Sequence, residues 1–402
     1  MKRREILKAL TCVPLAGSFS GILNPLESQA AIPAKRNLIK ELGIRTFINA
    51  SGYYTSLSGS LMHDEVLETI NLAAKEFCTL DEVQDKVGER IASLLHAEAA
   101  TVTCGAFSAL MLGMSGVLSG KDAKRAAMIP QLEVSGMKSE VIVQKTHNDG
   151  YSHALTNCGV KLIRVETRQQ AEEAINEKTA LMYFINYQAG LGMIQHTEWL
   201  EIAKKFNVPT MIDMAADLPP KENLWKFNDM GFDLVCVSGG KFMRGPQSAG
   251  ILSGKKELIA AARLSAPPRG NNIGRGMKVN KEEVLGMYIA LEKFINQDED
   301  KEWKTLESRI SVIADAVRIV DHVKAELLPL PAINRVPTLN ISWDNTKIKL
   351  MNLALVLRQG NPSIEVMNGP KGSINVTAHM LKPEQVKIVA SRIKEELLKA
   401  SV

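Results

Sequence analysis

Short apolar runs alternate with amphipathic segments through the middle of the chain. The runs have the length of strands and end near Gly, Pro, Asn or Asp, which is typical of a buried sheet; they are 100–103, 140–144, 161–165, 180–185, 209–213 and 233–237. Helical patterns lie between them at 168–176 and 197–206, with Thr197 at the position of an N-cap. This alternation predicts a mainly parallel sheet wrapped by helices.

Helical periodicity also marks both flanks of this region. It occurs at 64–77 and 80–95 before the sheet, and at 281–296 and 303–327 after it. Three shorter apolar runs and a last helical segment complete the chain, at 335–343, 363–367, 372–377 and 383–398. Together the strands and helices beyond 277 predict a compact α+β unit.

Turn-forming residues are dense at 265–276, which we interpret as a linker. A strand-like run at 44–50 and a loop of glycine and hydroxyl-bearing residues at 51–60 precede the first helical patterns. The length of 402 residues suits two domains. We predict an N-terminal arm at 31–62, a large domain at 63–276 and a small C-terminal domain at 277–402.

The first thirty residues have the pattern of an export signal. A basic segment with Arg3 and Arg4 precedes a modestly apolar run at 9–23, and small residues flank a glutamine at 28–30 where a signal peptidase reads. The run is too short and interrupted to span a membrane. Arg-Arg-Glu-Ile-Leu-Lys resembles the twin-arginine type of signal. An amphipathic N-terminal helix is the alternative; we predict a signal at 1–30 and a periplasmic protein.

The charge and the cysteine content argue against nucleic-acid binding, metal binding and a disulfide-stabilised fold. The formal net charge is +5, and no basic tract occurs beyond the first eight residues, so we expect no nucleic-acid partner. The five cysteines are scattered without CxxC pairing. We therefore expect neither a metal site nor a disulfide framework.

A lysine follows a strand that ends in Ser-Gly-Gly. The strand predicted at 233–237 runs into Ser238 and two glycines, and Lys241 comes next. Ligands bind at the carboxyl ends of strands in open α/β sheets. Because the two glycines carry no Cβ, we expect them to leave room for the backbone or the lysine to approach a flat cofactor closely. A lysine amine shielded there can lose its proton and form a Schiff base with an aldehyde. The alternative is a surface lysine in a turn; our hypothesis is that Lys241 holds pyridoxal phosphate (PLP).

PLP also needs an acid beside its pyridine nitrogen, an anion site for its phosphate and a flat group on its ring. Asp213 ends the strand before that of Lys241, 28 positions earlier along the chain. Neighbouring strand ends can therefore point both side chains at one ligand. A helix cap is the alternative role for Asp213, but its pairing with Lys241 favours the pyridine partner.

Other residues are candidates for binding the phosphate of PLP and for stacking on its pyridine ring. The strand at 100–103 turns at Gly105 into a helix whose first turn carries Ser108, and free N–H groups of a helix start bind anions. Ser238 could bind the phosphate as well. His147 and His153 follow the strand that ends at 144, and one of them could stack on the ring. A plain strand–helix turn and surface-loop histidines are the alternatives.

These motifs resemble one enzyme family along roughly residues 40–395. It comprises the fold type I PLP enzymes related to bacterial selenocysteine synthase and D-glucosaminate-6-phosphate ammonia-lyase. The motifs that carry the resemblance are 98–106, 147–153, 212–220, 238–247 and 273–278, together with a loop at 49–55. The resemblance implies an α/β fold: a large domain with a mainly parallel seven-stranded sheet and a smaller C-terminal α+β domain.

The resemblance also implies roles for individual residues. Lys241 is then the Schiff-base lysine and Asp213 the pyridine partner, and Gly105 and Ala106 belong to the phosphate turn. The loop at 49–55 looks like the family's N-terminal active-site loop, so Tyr54 and Thr55 are candidate substrate contacts. Fold type I enzymes usually build each site from two chains, which predicts a homodimer or a higher homo-oligomer through 51–60 or 274–276.

Two departures from the family pattern concern the substrate. An arginine that grips an α-carboxylate often follows a Pro-x-Ile run in the family, whereas 362–367 has none. Other arginines remain candidates for acidic substrate groups: Arg45, Arg244, Arg269 and Arg275. The tRNA-binding extension of selenocysteine synthase is absent, so we expect a small-molecule amino substrate instead.

Three functions follow from these features. We expect a PLP enzyme that acts on an amino acid or amino sugar acid, as a lyase of the ammonia-lyase or elimination type. A PLP-dependent transferase or a racemase on the same scaffold is the alternative within enzymes, because PLP supplies the electron sink for all of them. The alternative outside enzymes is a non-catalytic PLP-fold binding protein, which intact Lys241 and Asp213 disfavour.

Overall fold

The computed structural model describes residues 36–331, 333–370 and 372–401. The predicted export signal at 1–30 lies outside the described residues. The described chain divides into two compact units: the first ends at Thr46, and the second begins at Phe47. The first unit contains a short helix, α1 (Leu38–Glu41), whose N-cap Asn37 accepts the Lys40 N–H at 3.1 Å.

All other strands and helices belong to the second unit. Its strands are β1 (Ile48–Asn49), β2 (Ala99–Thr103), β3 (Glu140–Gln144), β4 (Lys161–Val165), β5 (Thr179–Ile185), β6 (Thr210–Asp213), β7 (Leu234–Ser238), β8 (Gly250–Gly254), β9 (Val323–Leu327), β10 (Thr338–Trp343), β11 (Ile364–Glu365), β12 (Met367–Asn368) and β13 (Ser373–Thr377). Its helices are α2 (Asp64–Ala73), α3 (Leu80–Leu94), α4 (Gly105–Ser119), α5 (Ala123–Met128), α6 (Leu132–Ser135), α7 (His153–Thr156), α8 (Arg168–Ala174), α9 (His196–Phe206), α10 (Asn223–Met230), α11 (Lys256–Leu264), α12 (Lys281–Asn296), α13 (Glu299–Arg318), α14 (Leu353–Gln359) and α15 (Pro383–Ala400).

A seven-stranded sheet forms the centre of the second unit. Its strand order is β2-β8-β7-β6-β5-β3-β4. The β7–β6–β5–β3–β4 pairs are parallel, and β8 runs antiparallel to both β2 and β7. The predicted mainly parallel sheet is therefore confirmed. Since the carboxyl ends of parallel strands share one edge, residues that follow β5, β6 and β7 meet there.

Both faces of this sheet are buried, which explains the continuous apolar runs in the sequence. Successive side chains of a strand point to opposite faces. Phe184 and Ile212 contribute to a core that includes residues of α3, α9 and α12, whereas Tyr183 and Met211 lie in the core on the other side, with residues of α4. Helix α4 is buried along most of its length because the sheet and α11 both pack on it.

A second, antiparallel sheet lies towards the C-terminus. Its order is β12-β13-β10-β9, and α13, α14 and α15 share its core. Ile48 and Ala50 belong to the same core, and β1 pairs in parallel with β11. Residues 48–50 thus pack with the C-terminal sheet. This antiparallel sheet with its helices confirms the predicted α+β character of the C-terminal part. The domain boundary predicted between residues 276 and 277 stays a prediction.

Three local predictions differ from the structure. The helix predicted at 303–327 ends at Arg318, and its last part is β9, since pairing of 323–327 with β10 overrides good helix formers such as Lys324 and Glu326. Only Ile48 and Asn49 of the run at 44–50 form a strand. Thr197 lies inside α9, whose N-cap is Gln195.

None of the helices in the described ranges has the length and apolar character to cross a bilayer.

Candidate active site

Lys241 lies in the loop that joins the antiparallel neighbours β7 and β8. The loop folds back on itself: the Gly239 N–H donates to the Ala249 carbonyl at 2.9 Å. A Cβ at Gly240 would lie 2.3 Å from the Cα of Gln247, and one at Gly239 would lie 2.1 Å from the sulfur of Met287. The two glycines are therefore required by the packing of the protein itself, whereas the sequence suggested that they make room for a cofactor.

The amine of Lys241 lies in a partly buried position among acidic neighbours. Burial lowers the pKa of this amine, and the negative charges of Asp213 and Asp217 act in the opposite direction. A lysine with a lowered pKa holds more of its amine in the neutral, nucleophilic form. This environment is the one that the hypothesis of a Schiff-base lysine requires.

Asp213 is buried at the end of β6, next to β7 in the parallel part of the sheet. Its Oδ1 accepts the Ala215 N–H at 2.9 Å, and its Oδ2 accepts the hydroxyl of Tyr183 at 3.2 Å. Burial raises the pKa of Asp213, and both hydrogen bonds and the charge of Lys241 counteract that rise. The structure thus brings Asp213 and Lys241 together, as their spacing along the chain suggested.

Tyr183 is a site residue that the sequence did not single out. It is fully buried on β5, and burial keeps its pKa well above the ordinary value, so the phenol stays protonated and donates to Asp213. The available signal was weak: a single hydroxyl inside the apolar run at 180–185. A buried tyrosine hydroxyl usually has a partner, but the sequence does not indicate which one.

The residues predicted to bind phosphate lie close together where β2 and β7 end and β8 begins. Gly250 of β8 pairs with Ser238 of β7 on one side and with Thr103 of β2 on the other. A Cβ at Gly250 would lie 2.5 Å from the carbonyl carbon of Gly105 and 2.7 Å from the nitrogen of Ala106. The close approach of these backbones brings Gly105, Ala106 and Ser238 to one place.

Helix α4 begins at this point with its first backbone N–H groups free of intrahelical acceptors. Gly105 has φ +79°, a conformation that favours glycine. The hydroxyl of Ser108 donates to the Cys104 carbonyl at 2.8 Å, so its hydrogen is used inside the helix. The Gly105 turn and Ser238 therefore remain the better phosphate candidates, and Ser108 could only accept.

The two histidines proposed for ring stacking occupy different environments. His147 is fully buried; its Nδ1 accepts the Ile185 N–H at 3.2 Å, and its ring contacts Phe184 edge-on at 4.6 Å. Burial lowers the pKa of His147 to about 4, so the ring is neutral. His153 is exposed at the start of α7, where its Nδ1 lies 3.2 Å from the Thr156 hydroxyl. The assignment of the stacking ring stays a prediction.

The candidate substrate contacts are spread over three segments. The hydroxyl of Tyr54 lies 3.2 Å from the sulfur of Met367, and the Thr55 carbonyl accepts from Gln247 at 3.4 Å. Arg244 has φ +54° and donates from Nε to the Leu61 carbonyl at 2.8 Å.

Arg275 is exposed in the loop at 265–276. Tyr54, Thr55 and Arg244 thus lie on segments that contact one another, whereas Arg275 does not share these contacts.

A cavity of about 430 Å³ begins beside the residue that follows Lys241. Phe242, Pro219 and Pro220 line one part of it, and Trp303 and Arg335 line another. The two prolines follow Asp217 in sequence after a single residue, Leu218. This cavity offers space for a small molecule next to the Lys241 loop.

Comparison with known proteins agrees with this geometry. Residues 79–273 match the family described as aminotransferase class-V. The D-glucosaminate-6-phosphate ammonia lyase of Salmonella typhimurium is 28% identical over 302 residues, covering 72% of this chain and 78% of the relative. The solved structure of a D-glucosaminate-6-phosphate ammonia-lyase superposes with a TM-score of 0.80 at 25% identity, covering 91% of this chain and 100% of the other.

A second kind of relative is the L-seryl-tRNA(Sec) selenium transferase of Carboxydothermus hydrogenoformans. It is 25% identical over 339 residues, covering 74% of this chain and 66% of the relative.

The chain has the α/β fold of fold type I PLP-dependent enzymes, and its residues 79–273 are similar to the aminotransferase class-V family. This fold and these relatives are those of PLP-dependent lyases and transferases. The predictions of fold class, of PLP dependence and of an enzyme rather than a binding protein are thereby confirmed.

The residues of this site fit the cofactor. Asp213 is a buried carboxylate that a pyridinium nitrogen would satisfy, and Lys241 is a shielded amine beside it. A turn with free N–H groups lies at Gly105 and is packed on β8, next to Ser238. The donor set therefore matches an anionic phosphate, a basic ring nitrogen and an aldehyde.

Replacing Tyr183 with Phe tests the role of its hydroxyl. The ring stays in the core, but Asp213 loses a donor, and a hydrogen bond to a charged group contributes about 1.5–3 kcal/mol. We expect the affinity for PLP to fall by about tenfold or more, because the carboxylate that would bind the pyridine nitrogen is less stable in its charged form. Titration of the apoprotein with PLP, followed by visible absorbance, measures this.

Tyr288→Phe is the matched control. Its hydroxyl bonds Glu292 on α12, so the same chemical change there leaves Asp213 untouched. Equal PLP affinity in wild type and Tyr183→Phe would show that the hydroxyl does not support Asp213 in cofactor binding.

Proposed function

We propose that this protein is a PLP-dependent lyase that releases ammonia from an amino sugar acid or an amino acid. The observation that carries the proposal is the pair of Lys241 and Asp213 on neighbouring strand ends, with a shielded amine and a buried carboxylate. The similarity to D-glucosaminate-6-phosphate ammonia lyase supports the reaction class.

Each residue of the site has a role in holding the cofactor. Asp213 would bind the pyridine nitrogen, and Tyr183 and the Ala215 N–H keep the carboxylate oriented. Gly105, Ala106 and Ser238 would bind the phosphate through backbone N–H groups and a hydroxyl. When bound, PLP supplies an electron sink that stabilises negative charge on the carbon next to the substrate amino group.

Lys241 then serves as the proton carrier. Its Nζ is the basic group at the edge of the sheet, and burial favours its neutral form. A neutral amine can take a proton from a carbon acid and give it back at another atom, which is what an elimination needs. The partly enclosed position limits exchange of that proton with water.

An acidic group of the substrate must be bound by a residue other than the arginine that often follows the Pro-x-Ile run in the family. Arg358 lies close to the run at 362–367, but it forms a two-pronged pair with the buried Glu365, with N–O distances of 2.7–2.9 Å. Arg244, beside Lys241 in the loop, is the better candidate. The cavity next to Phe242 would accept the rest of a polyhydroxylated chain.

A transfer reaction is the second candidate. It is supported by the similarity to L-seryl-tRNA(Sec) selenium transferase, although the residues around Lys241 are compatible with either outcome. A racemase on the same residues is the third. Product analysis separates the three reactions, because they differ in what leaves the substrate.

The main experiment compares wild type with Lys241→Ala. Wild type purified with PLP is expected to show visible absorbance that Lys241→Ala lacks, because the covalent attachment is lost. D-Glucosaminate 6-phosphate, D-glucosaminate and a panel of D- and L-amino acids would then be assayed for released ammonia and keto product. We expect wild type to release ammonia and Lys241→Ala to lose at least about 10³-fold of that activity.

Lys399→Ala is the control, because Lys399 is an exposed lysine that pairs with Glu396 on α15 at 2.9 Å. A colourless wild-type protein that gains no absorbance with added PLP would refute the cofactor assignment. Amino acids recovered with altered chirality and no ammonia would instead favour the racemase.

We also propose that the protein works as a homodimer or a higher homo-oligomer. Large apolar side chains are exposed along 61–77, and patches of this kind on soluble proteins favour a protein partner; they are Leu61, Leu67, Leu72 and Phe77. A second copy of the chain is the partner that fold type I enzymes favour, through this face or through the loops at 51–60 and 274–276.

Light scattering tests the oligomer. We expect at least a dimer for wild type and a weaker dimer, with a raised dissociation constant, for the double variant Leu72→Glu, Phe77→Glu. Leu398→Glu, which changes an exposed leucine of α15, serves as the control. A wild-type monomer with full PLP occupancy would contradict the proposal.

We propose, finally, that the protein is exported to the periplasm through the twin-arginine route. Support comes from the basic segment with Arg3 and Arg4 and the apolar run behind it. This route carries folded proteins, so PLP could be loaded before export.

Changing Arg3 and Arg4 together to Lys tests the route. We expect the double variant to remain in the cytoplasm, because twin-arginine recognition depends on the guanidinium pair. Lys8→Gln is expected to be exported like wild type. Cell fractionation with an antibody measures both, and export of the double variant at the wild-type level would argue against the route.

A further inference from the structure

Asp217 is a second buried carboxylate at the edge of the sheet. It follows Asp213 by four residues, and only 1% of its surface is exposed. Its Oδ2 accepts a hydrogen bond from the side-chain amide of Asn186 at 2.8 Å. Its backbone carbonyl accepts another from the side chain of Asn223, also at 2.8 Å. The segment is therefore fixed from two sides, once at the carboxylate and once at the backbone.

Asn186 is itself held in one orientation. The Nε2 of His196 lies 2.7 Å from the Oδ1 of Asn186. Burial lowers the pKa of His196 to about 4, so the ring is neutral and must carry its proton on Nε2 to donate here. The ring packs against Phe184 at 4.5 Å and Phe227 at 5.4 Å, which fixes its position. The amide hydrogens of Asn186 consequently point towards Asp217.

The other oxygen of Asp217 has no hydrogen-bond partner among the described residues, although it is buried. A buried polar atom without a partner destabilises the folded protein, and the cost is greater when the atom is charged. Such an arrangement is retained where a ligand or a mobile group provides the partner. The charged groups that could provide this partner belong to the candidate active site, because Asp217 and Lys241 interact electrostatically.

We propose that Asp217 is a positioning residue whose free oxygen holds positive charge on the side-chain nitrogen of Lys241. The proposal rests on the proposed function, since that nitrogen is the point of cofactor attachment. Charge balance supports it: Asp213 would match a protonated pyridine nitrogen, and Asp217 would match a second positive charge at Lys241. Without Asp217, that second charge would be buried unpaired, which is costly.

Other charged and titratable groups face Asp217 as well. Asp213 on β6 repels it, and Lys241 after β7 attracts it. Tyr53, in the loop after β1, feels the charge of Asp217, and its burial keeps the phenol protonated. Asn186 after β5 is a neutral donor, which favours the charged carboxylate. Against these, burial raises the pKa of Asp217 to about 7, so it becomes fully ionised only in mildly alkaline solution.

Asp217→Asn tests the proposal in the PLP-loaded protein. The variant keeps the size of the side chain but removes its charge, so the positive form of the Lys241 nitrogen is less stable. We expect the pH midpoint of the visible spectral change to move down by about one unit or more, as for loss of an opposite charge nearby. The rate at which apoprotein captures PLP should likewise reach its plateau at lower pH.

Two further variants distinguish this role from a general disturbance of the loop. Asn186→Ala removes the donor that favours ionised Asp217, and we expect a smaller shift in the same direction. Asn223→Ala removes only the contact to the backbone carbonyl of Asp217, and we expect the wild-type midpoint. If Asp217→Asn does not fold, as judged by circular dichroism, Asn186→Ala decides.

The outcomes separate the two proposals. A wild-type protein that takes up no PLP would overturn the proposed function. PLP-loaded Asp217→Asn with the wild-type midpoint would overturn this inference alone. An equal shift in Asn223→Ala would also overturn it, because the effect would then come from the loop and not from the carboxylate.

Discussion

The buried carboxylate of Asp213 is the group on which the rest of the site depends. Burial favours its neutral form, and the hydroxyl of Tyr183, the N–H of Ala215 and the charge of Lys241 oppose that tendency. These partners come from three neighbouring strands or their following loops, with Asp213 paired to Cys236 in register. A slip of one residue in β5 or β6 would turn Tyr183 or Asp213 to the opposite face of the sheet. The sheet register is therefore a requirement of the chemistry as well as of the fold.

Local signals in the sequence were enough for most of the central sheet and for the two residues that we propose to hold the cofactor. Six of the sheet's seven strands, all except β8, lie within about one residue of the predicted runs, because a buried strand reads as a short apolar segment between turn formers. Lys241 and Asp213 were found by their places after such runs. Tyr183, Asn186 and Asp217 were not, because their roles depend on distant partners: the Tyr183–Asp213 and Asn186–Asp217 bonds join residues 30 and 31 positions apart.

Two errors of sequence interpretation have the same physical origin. The residues 323–327 favour a helix by composition, but β10 offers a strand partner, and pairing decides. Gly239 and Gly240 suggested space for a ligand, whereas Met287 and Gln247 occupy the space that their side chains would need. In both cases the role of the segment is decided by a contact with another part of the chain. Such contacts leave no pattern in the local sequence.

The pairing of Arg358 with Glu365 bears on how the substrate is chosen. Glu365 is buried and pairs with Asn49 across β1 and β11, so its charge needs Arg358 to remain in place. An arginine committed in this way cannot turn to a substrate carboxylate without leaving a buried charge unpaired. Substrate selection is then expected to come from the Lys241 loop and from the cavity beside Phe242. Enzymes that share a fold and a cofactor can differ in substrate in this way, because the residues proposed here to hold PLP are separate from those proposed to hold the substrate.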